Sequence, residues 1–116
     1  MTFGAMTDIH NQVVSTQGYT HHEKTKRRLS DNAKIQKKYS VTSYAKDFDS
    51  AGLLIHGTSD SNIRFKQSVM LNKALKRSKK IVEYIEIKDE ESTLTTDETR
   101  FRVYKKIDLF LKQYLK

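Results

Sequence analysis

The chain predicts an α/β fold, a short and mostly parallel sheet flanked by helices. Three observations carry that expectation. Leu53-Leu54-Ile55 is a short, continuous apolar run bounded by turn residues, the pattern of a strand buried on both faces. Beyond it, Phe65, Val69, Leu71, Ala74 and Leu75 recur at spacings of about three or four, which is helical. Ile81 to Ile87 then turns β-rich again. A strand, a helix and a second strand in so short a stretch imply a parallel pair joined by a right-handed crossover.

The remaining elements follow in order. Residues 9–22 are mixed and polar, with room for a short helix from Asp8 to Ser15. Residues 23–38 are highly charged and offer only Leu29, Ala33 and Ile35 as apolar positions, so a helix there lies largely in water. Residues 39–50 read as a connector, with Tyr39, Tyr44 and Phe48 as its expected anchors. A strand at 52–56 leads into the Gly57–Asn62 loop and then a helix of about 65–79. After the second strand, a polar loop runs from Lys88 to Thr96, and Thr95-x-x-Glu98 matches a capping box. The last helix extends to about Tyr114, with Val103, Ile107, Phe110, Leu111 and Tyr114 on one face. Two segments result: 1–50, with a strand end, polar loops and a charged helix, and 51–116, with strand, helix, strand and helix.

With 116 residues, the chain is long enough for one modest core. No apolar run approaches the roughly 20 residues of a membrane span. The start, Met-Thr-Phe-Gly-Ala-Met-Thr-Asp, has neither the basic nor the apolar region of a signal peptide, so a cytoplasmic location is expected. There are no cysteines, which excludes disulfides and thiolate metal sites. His21-His22 lacks a third ligand pattern and reads as a solvated loop rather than a metal site. No cofactor is implied. The net charge of +8 admits nucleic acid or an anionic membrane as partner. No nucleic-acid motif accompanies it, however, and the densest run, Lys73 to Lys80, sits late in a helix where the dipole favours cations. The expectation is a lysine-rich solvated surface, with neither nucleic acid nor membrane bound.

Four patterns stand in order: Leu-Leu-Ile-His-Gly-Thr-x-Asp at 53–60, Gln67-Ser68 before a helix containing Lys73-Ala-Leu-Lys76, Val82-Glu83-Tyr84-Ile85-Glu86 with Lys88, and Leu94 with Glu98-Thr99-Arg100. Together they resemble the closing part of the catalytic domain of the prolyl oligopeptidase family of serine peptidases, which includes acylaminoacyl- and dipeptidyl-peptidases. The resemblance implies the C-terminal portion of an α/β-hydrolase fold, with Phe3-Gly4-Ala5-Met6-Thr7-Asp8 as a strand end and its following loop. The family's usual prolines are missing: Ala51-Gly52 and Ser40-Val41 stand in their places, and the chain has none at all.

The resemblance places the triad acid at Asp60 and the triad histidine at Ser92. A triad acid fixes the tautomer of its histidine and stabilises the imidazolium. A serine hydroxyl has no basic form near neutral pH and cannot take the histidine's place. Without a base, Asp60 is expected to do no more than satisfy backbone donors in its loop. His56 falls on the family's His-Gly turn and is expected to be structural, and no histidine follows it. Nor is there a Gly-x-Ser-x-Gly elbow; Gly57-Thr58-Ser59-Asp60-Ser61 lacks the second glycine.

The expected function is therefore a truncated, inactive relative of a serine peptidase, with peptide as substrate only if the domain were completed. The alternative is a non-catalytic interaction module. It would pair through an exposed sheet edge with a separately encoded N-terminal half, or with itself.

Overall fold

The computed structural model describes residues 1–91 and 93–115. Its centre is a three-stranded parallel sheet in the order β1 (Thr2–Phe3), β2 (Gly52–Gly57), β3 (Val82–Ile87). Between β1 and β2 lie α1 (Ile9–Ser15), α2 (His22–Leu29), α3 (Ala33–Lys38) and a 3-10 segment (Val41–Asp47) kinked at Tyr44. The crossover helix α4 (Lys66–Arg77) joins β2 to β3, and α5 (Asp97–Tyr114) closes the chain.

Side chains alternate across the sheet, so β2 feeds two cores at once. Leu53 and Ile55 pack with Ile87 against Val103 and Phe110 of α5. Leu54 faces the other way, onto Leu71 and Leu75 of α4 and Ala45 of the 3-10 segment. This double burial is why the strand reads as an unbroken apolar run. Parallel pairing runs in register from Gly52 opposite Val82 to Gly57 opposite Ile87.

Helix α4 ends in a Schellman motif. Lys79 takes a left-handed φ of 58°, Lys80 N–H donates to Leu75 O and Lys79 N–H to Lys76 O. That turn ends the helix two residues before the expected position and directs the chain into β3.

Three expectations need correction. Tyr39 and Tyr44 do not anchor the connector; they are 65% and 45% exposed, while Ala45 is buried and Phe48 packs beside it. A tight 3-10 turn brings a small side chain closer to α4 than a ring would permit. The cap of α5 is Thr96, which accepts from Thr99 N–H, and not the Thr95/Glu98 pair. Thr95 is engaged instead by Glu90. Leu111, expected on the core face of α5, is 40% exposed. As expected, α2 buries no residue and α3 only Gln36. Among the described residues, no helix is long and apolar enough to cross a membrane.

A buried side chain of α4 holds the turn that follows β1. Gln67 Oε1 accepts from Thr7 N–H and Asp8 N–H at 2.9 and 2.7 Å, and its Nε2 donates to Asp8 O. Gln12 Nε2 reaches Asn62 O in the loop after β2.

Candidate active site

The parallel register brings the C-terminal ends of β2 and β3 to one edge, where ligands gather in open parallel α/β sheets. Their exit loops lie against each other. Thr58 N–H donates to Ile87 O, Ser59 N–H to Glu90 O, and Asp89 N–H to Thr58 Oγ1. Gly57 makes this approach possible. A Cβ on it would collide with Glu90 O and come within 2.7 Å of Glu91 O, so only glycine fits under the crossing backbone.

Asp60 sits in the first loop, 8% exposed. Its Oδ1 accepts from Asn62 N–H at 3.1 Å and Ile63 N–H at 3.0 Å, an Asx-type closure of the loop. Its Oδ2 lies 3.6 Å from His56 Nε2.

His56 is fully buried beneath that loop. Its Nε2 lies 2.6 Å from Ile63 O, and a carbonyl can only accept, so Nε2 carries the proton. In the neutral ring Nδ1 then accepts from Ser68 Oγ, 2.7 Å away. Ser68, His56 and Asp60 thus form a serine–histidine–acid line by composition. It is not a catalytic one. Ser68 and His56 are shut off from solvent, the hydroxyl proton is given to the ring, and the Nε2 proton is committed to a carbonyl. The cluster fastens α4 to the end of β2, consistent with a structural His56.

Ser92 lies outside the described residues. The backbone leading to it is placed, because Glu90 and Glu91 run against Gly57 and Ser59 at the same sheet edge as Asp60. Glu90 is buried and closes the second loop on itself, accepting from Thr95 N–H at 3.2 Å and from Thr95 Oγ1 at 3.0 and 3.1 Å. The Thr95 amide holds its carboxyl below the ordinary range. Burial opposes that shift, while the hydroxyls of Thr95 and Thr99 and the charge of Arg100 reinforce it.

Of the other histidines, only His21 reaches this edge, lining the cleft beside Asp60. His10 Nδ1 meets Gln36 Oε1, His22 Nδ1 meets Thr16 Oγ1, and His21 lies against the Tyr19 ring. Among the described residues, no group of three His, Cys, Asp or Glu side chains could hold a metal. A cleft of about 980 Å³ opens beside Asp60, with Tyr19, Arg28, Ser59 and Arg64 in its walls.

Sequence reasoning expects an acid at Asp60 and a structural His56, and it misses Gly57 and Glu90 as the pieces that bring the loops together. The glycine stood inside a quoted motif. Nothing local marked Glu90, since its partner is a threonine assigned to a helix cap.

The sequence and the fold both have counterparts among known proteins. A sequence model described as the prolyl oligopeptidase family matches residues 4–116. Dipeptidyl peptidase 4 from Sus scrofa is 33% identical over 84 residues, which cover 72% of this chain and 11% of that protein. The structure of an acylaminoacyl peptidase from Pyrococcus horikoshii superposes with a TM-score of 0.83 at 24% identity, over 97% of this chain and 19% of its own. Dipeptidyl peptidase 4 from Porphyromonas gingivalis gives a TM-score of 0.70 at 21% identity, over 83% of this chain and 14% of its own. The chain therefore spans less than a fifth of each of these relatives. With the profile covering nearly its whole length, the chain belongs to the prolyl oligopeptidase family.

Proposed function

We propose that this chain carries the acid loop of a prolyl oligopeptidase-type peptidase and has no acyl-transfer activity by itself. The observation that carries the reading is the disposition of Asp60. It lies at the sheet edge with one oxygen spent on two backbone amides. The nearest histidine is locked below it and facing the core. Acyl transfer needs a nucleophile, a base that takes its proton and donors for the oxyanion. The chain holds no Gly-x-Ser-x-Gly elbow, and the position assigned to the base is Ser92. Asp60 is then a vestigial triad acid, and a peptide is a substrate only of a completed domain.

The test is labelling with a serine-directed fluorophosphonate, alongside turnover of acyl-amino-acid and prolyl chromogenic substrates. The expected result is neither labelling nor turnover above blank. Ser92→His alone is expected to restore nothing, since it supplies a base without a nucleophile. Covalent labelling of any serine in the unaltered chain would overturn the proposal.

A second reading, a non-catalytic interaction module, is favoured by the sheet edge. Strand β1 lies at the end of the sheet and is only two residues long. Phe3 on it is 37% exposed, and Tyr104 of α5, which lines the same groove, is 63% exposed. A strand added to β1 by a separately encoded N-terminal half, or by a second copy, would cover both. Sedimentation of the chain alone, then with a co-expressed segment bearing a Gly-x-Ser-x-Gly elbow, separates these partners. A monomer in both experiments would remove this reading.

A further inference from the structure

A second cavity, of about 660 Å³, opens between α1, α3, the 3-10 segment and the outer side of α4. It shares no lining residue with the Asp60 cleft. Lys37 reaches it from α3, and Lys73 and Arg77 from α4. The last two stand four residues apart, a spacing at which like charges destabilise a helix. Among the described residues none of the three cations has an ion-pair partner.

Most of the cavity's other polar groups are already engaged within the chain. Its one carboxylate, Asp8, caps α1 by accepting from Asn11 N–H. The hydroxyls of Ser40 and Ser43 donate to the carbonyls of Gln36 and Lys37. His10 Nδ1 meets Gln36 Oε1 and Thr42 Oγ1 donates to Thr7 O, so Lys37, Lys73 and Arg77 are the cavity's unpaired cations among the described residues. Ala33, Met70 and Ala74 provide apolar wall beside them. The volume is that of a small-molecule site.

We propose that this cavity binds a small phosphate monoester, its dianionic group held by Lys37, Lys73 and Arg77 and its compact apolar body against Ala33, Met70 and Ala74. Three cations lining one cavity, against the single carboxylate of Asp8, leave a net positive charge that suits a dianion better than the single charge of a carboxylate. The site uses no residue of the acid loop, so it stands or falls separately from the peptidase reading.

Isothermal titration of the full chain with phenyl phosphate tests it, with inorganic phosphate and phenol as comparators. Phenyl phosphate is expected to bind one to one, inorganic phosphate more weakly and phenol not at all. Lys73→Glu and Arg77→Glu are each expected to weaken binding about tenfold or more, the worth of a charge-assisted hydrogen bond. Lys24→Glu, the same charge change on α2 and outside the cavity, should leave binding unchanged. Circular dichroism checks that each variant folds; Lys37→Glu, on a different helix, carries the test if an α4 variant does not. Absence of binding at millimolar phenyl phosphate overturns the site. Equal weakening by Lys24→Glu overturns it too, by showing diffuse charge attraction. Inorganic phosphate binding as tightly as the ester overturns the apolar half of the assignment.

Discussion

The two loops that leave β2 and β3 end at the same edge of the sheet but are held by different means. The first is fastened from within: Asp60 closes it on the amides of Asn62 and Ile63, and His56 grips the Ile63 carbonyl from below. The second leans on its neighbour, with Glu90 O on Ser59 N–H and Asp89 N–H on Thr58 Oγ1, and is closed by Glu90 and Thr95. The difference bears on what a site without its base would keep. An acid that closes its own loop on two backbone amides serves the fold whether or not a base stands beside it. A triad base, by contrast, serves proton transfer rather than loop closure. The presence of Asp60 is therefore accounted for by loop structure, whether or not it has a catalytic role.

The contact between the loops can be broken at Gly57, where the largest effect is expected. Gly57→Ala puts a methyl group into the Glu90 carbonyl, which is backbone and cannot rotate away. The second loop must move, at a cost of about 3 kcal/mol. Gly52→Ala, at the other end of the same strand, meets nothing closer than 3.7 Å. It should change stability by less than about 1 kcal/mol. Urea unfolding of both variants makes the comparison within one strand. Equal losses would mean that strand propensity, and not the crossing of the loops, sets the cost.

Within the first loop, Asp60→Ala leaves two amides without their acceptor and should cost about 1–2 kcal/mol. Asp60→Asn retains an oxygen in the Oδ1 position, so its loss should stay within about 0.5 kcal/mol. That ordering, read by thermal or urea unfolding, assigns the residue to loop closure. If asparagine were as damaging as alanine, the carboxylate charge would be what matters, and its approach to His56 would need another explanation.

How much of this was legible in the sequence follows from the range of each interaction. Strand β2, helix α4, strand β3 and helix α5 were readable because burial on one or two faces stamps a period on the residues themselves. Their parallel order followed from connection length and handedness. The anchors of the connector were not readable, since aromatic size suggests burial while the close approach of the 3-10 segment to α4 selects Ala45. The capping box failed by one residue because a threonine can serve as cap or as ligand to a distant carboxylate, and Glu90 claims Thr95. In the site, Asp60 and position 92 are marked by motif resemblance alone. The collision that demands Gly57, and the clamp of His56 between Ser68 and Ile63, are tertiary facts with no periodic trace.

The second loop can be probed without disturbing the first, and here the smallest effect is expected. Its carboxylate is held below the ordinary range, chiefly by the Thr95 amide. The folded state therefore binds the proton of Glu90 less readily than the unfolded chain does. Its stabilisation is fully present above the ordinary glutamate range and is lost as pH falls through the lower folded-state value. Glu90→Gln keeps an oxygen for Thr95 N–H and removes only the titration. Stability at neutral pH should drop slightly, and the slope between neutral and acidic pH should flatten relative to the unaltered chain. Unfolding curves collected from pH 7 to pH 3 read both quantities. An unchanged slope in Glu90→Gln would show that the clasp holds by geometry alone, leaving the acid sensitivity of the fold to other carboxylates.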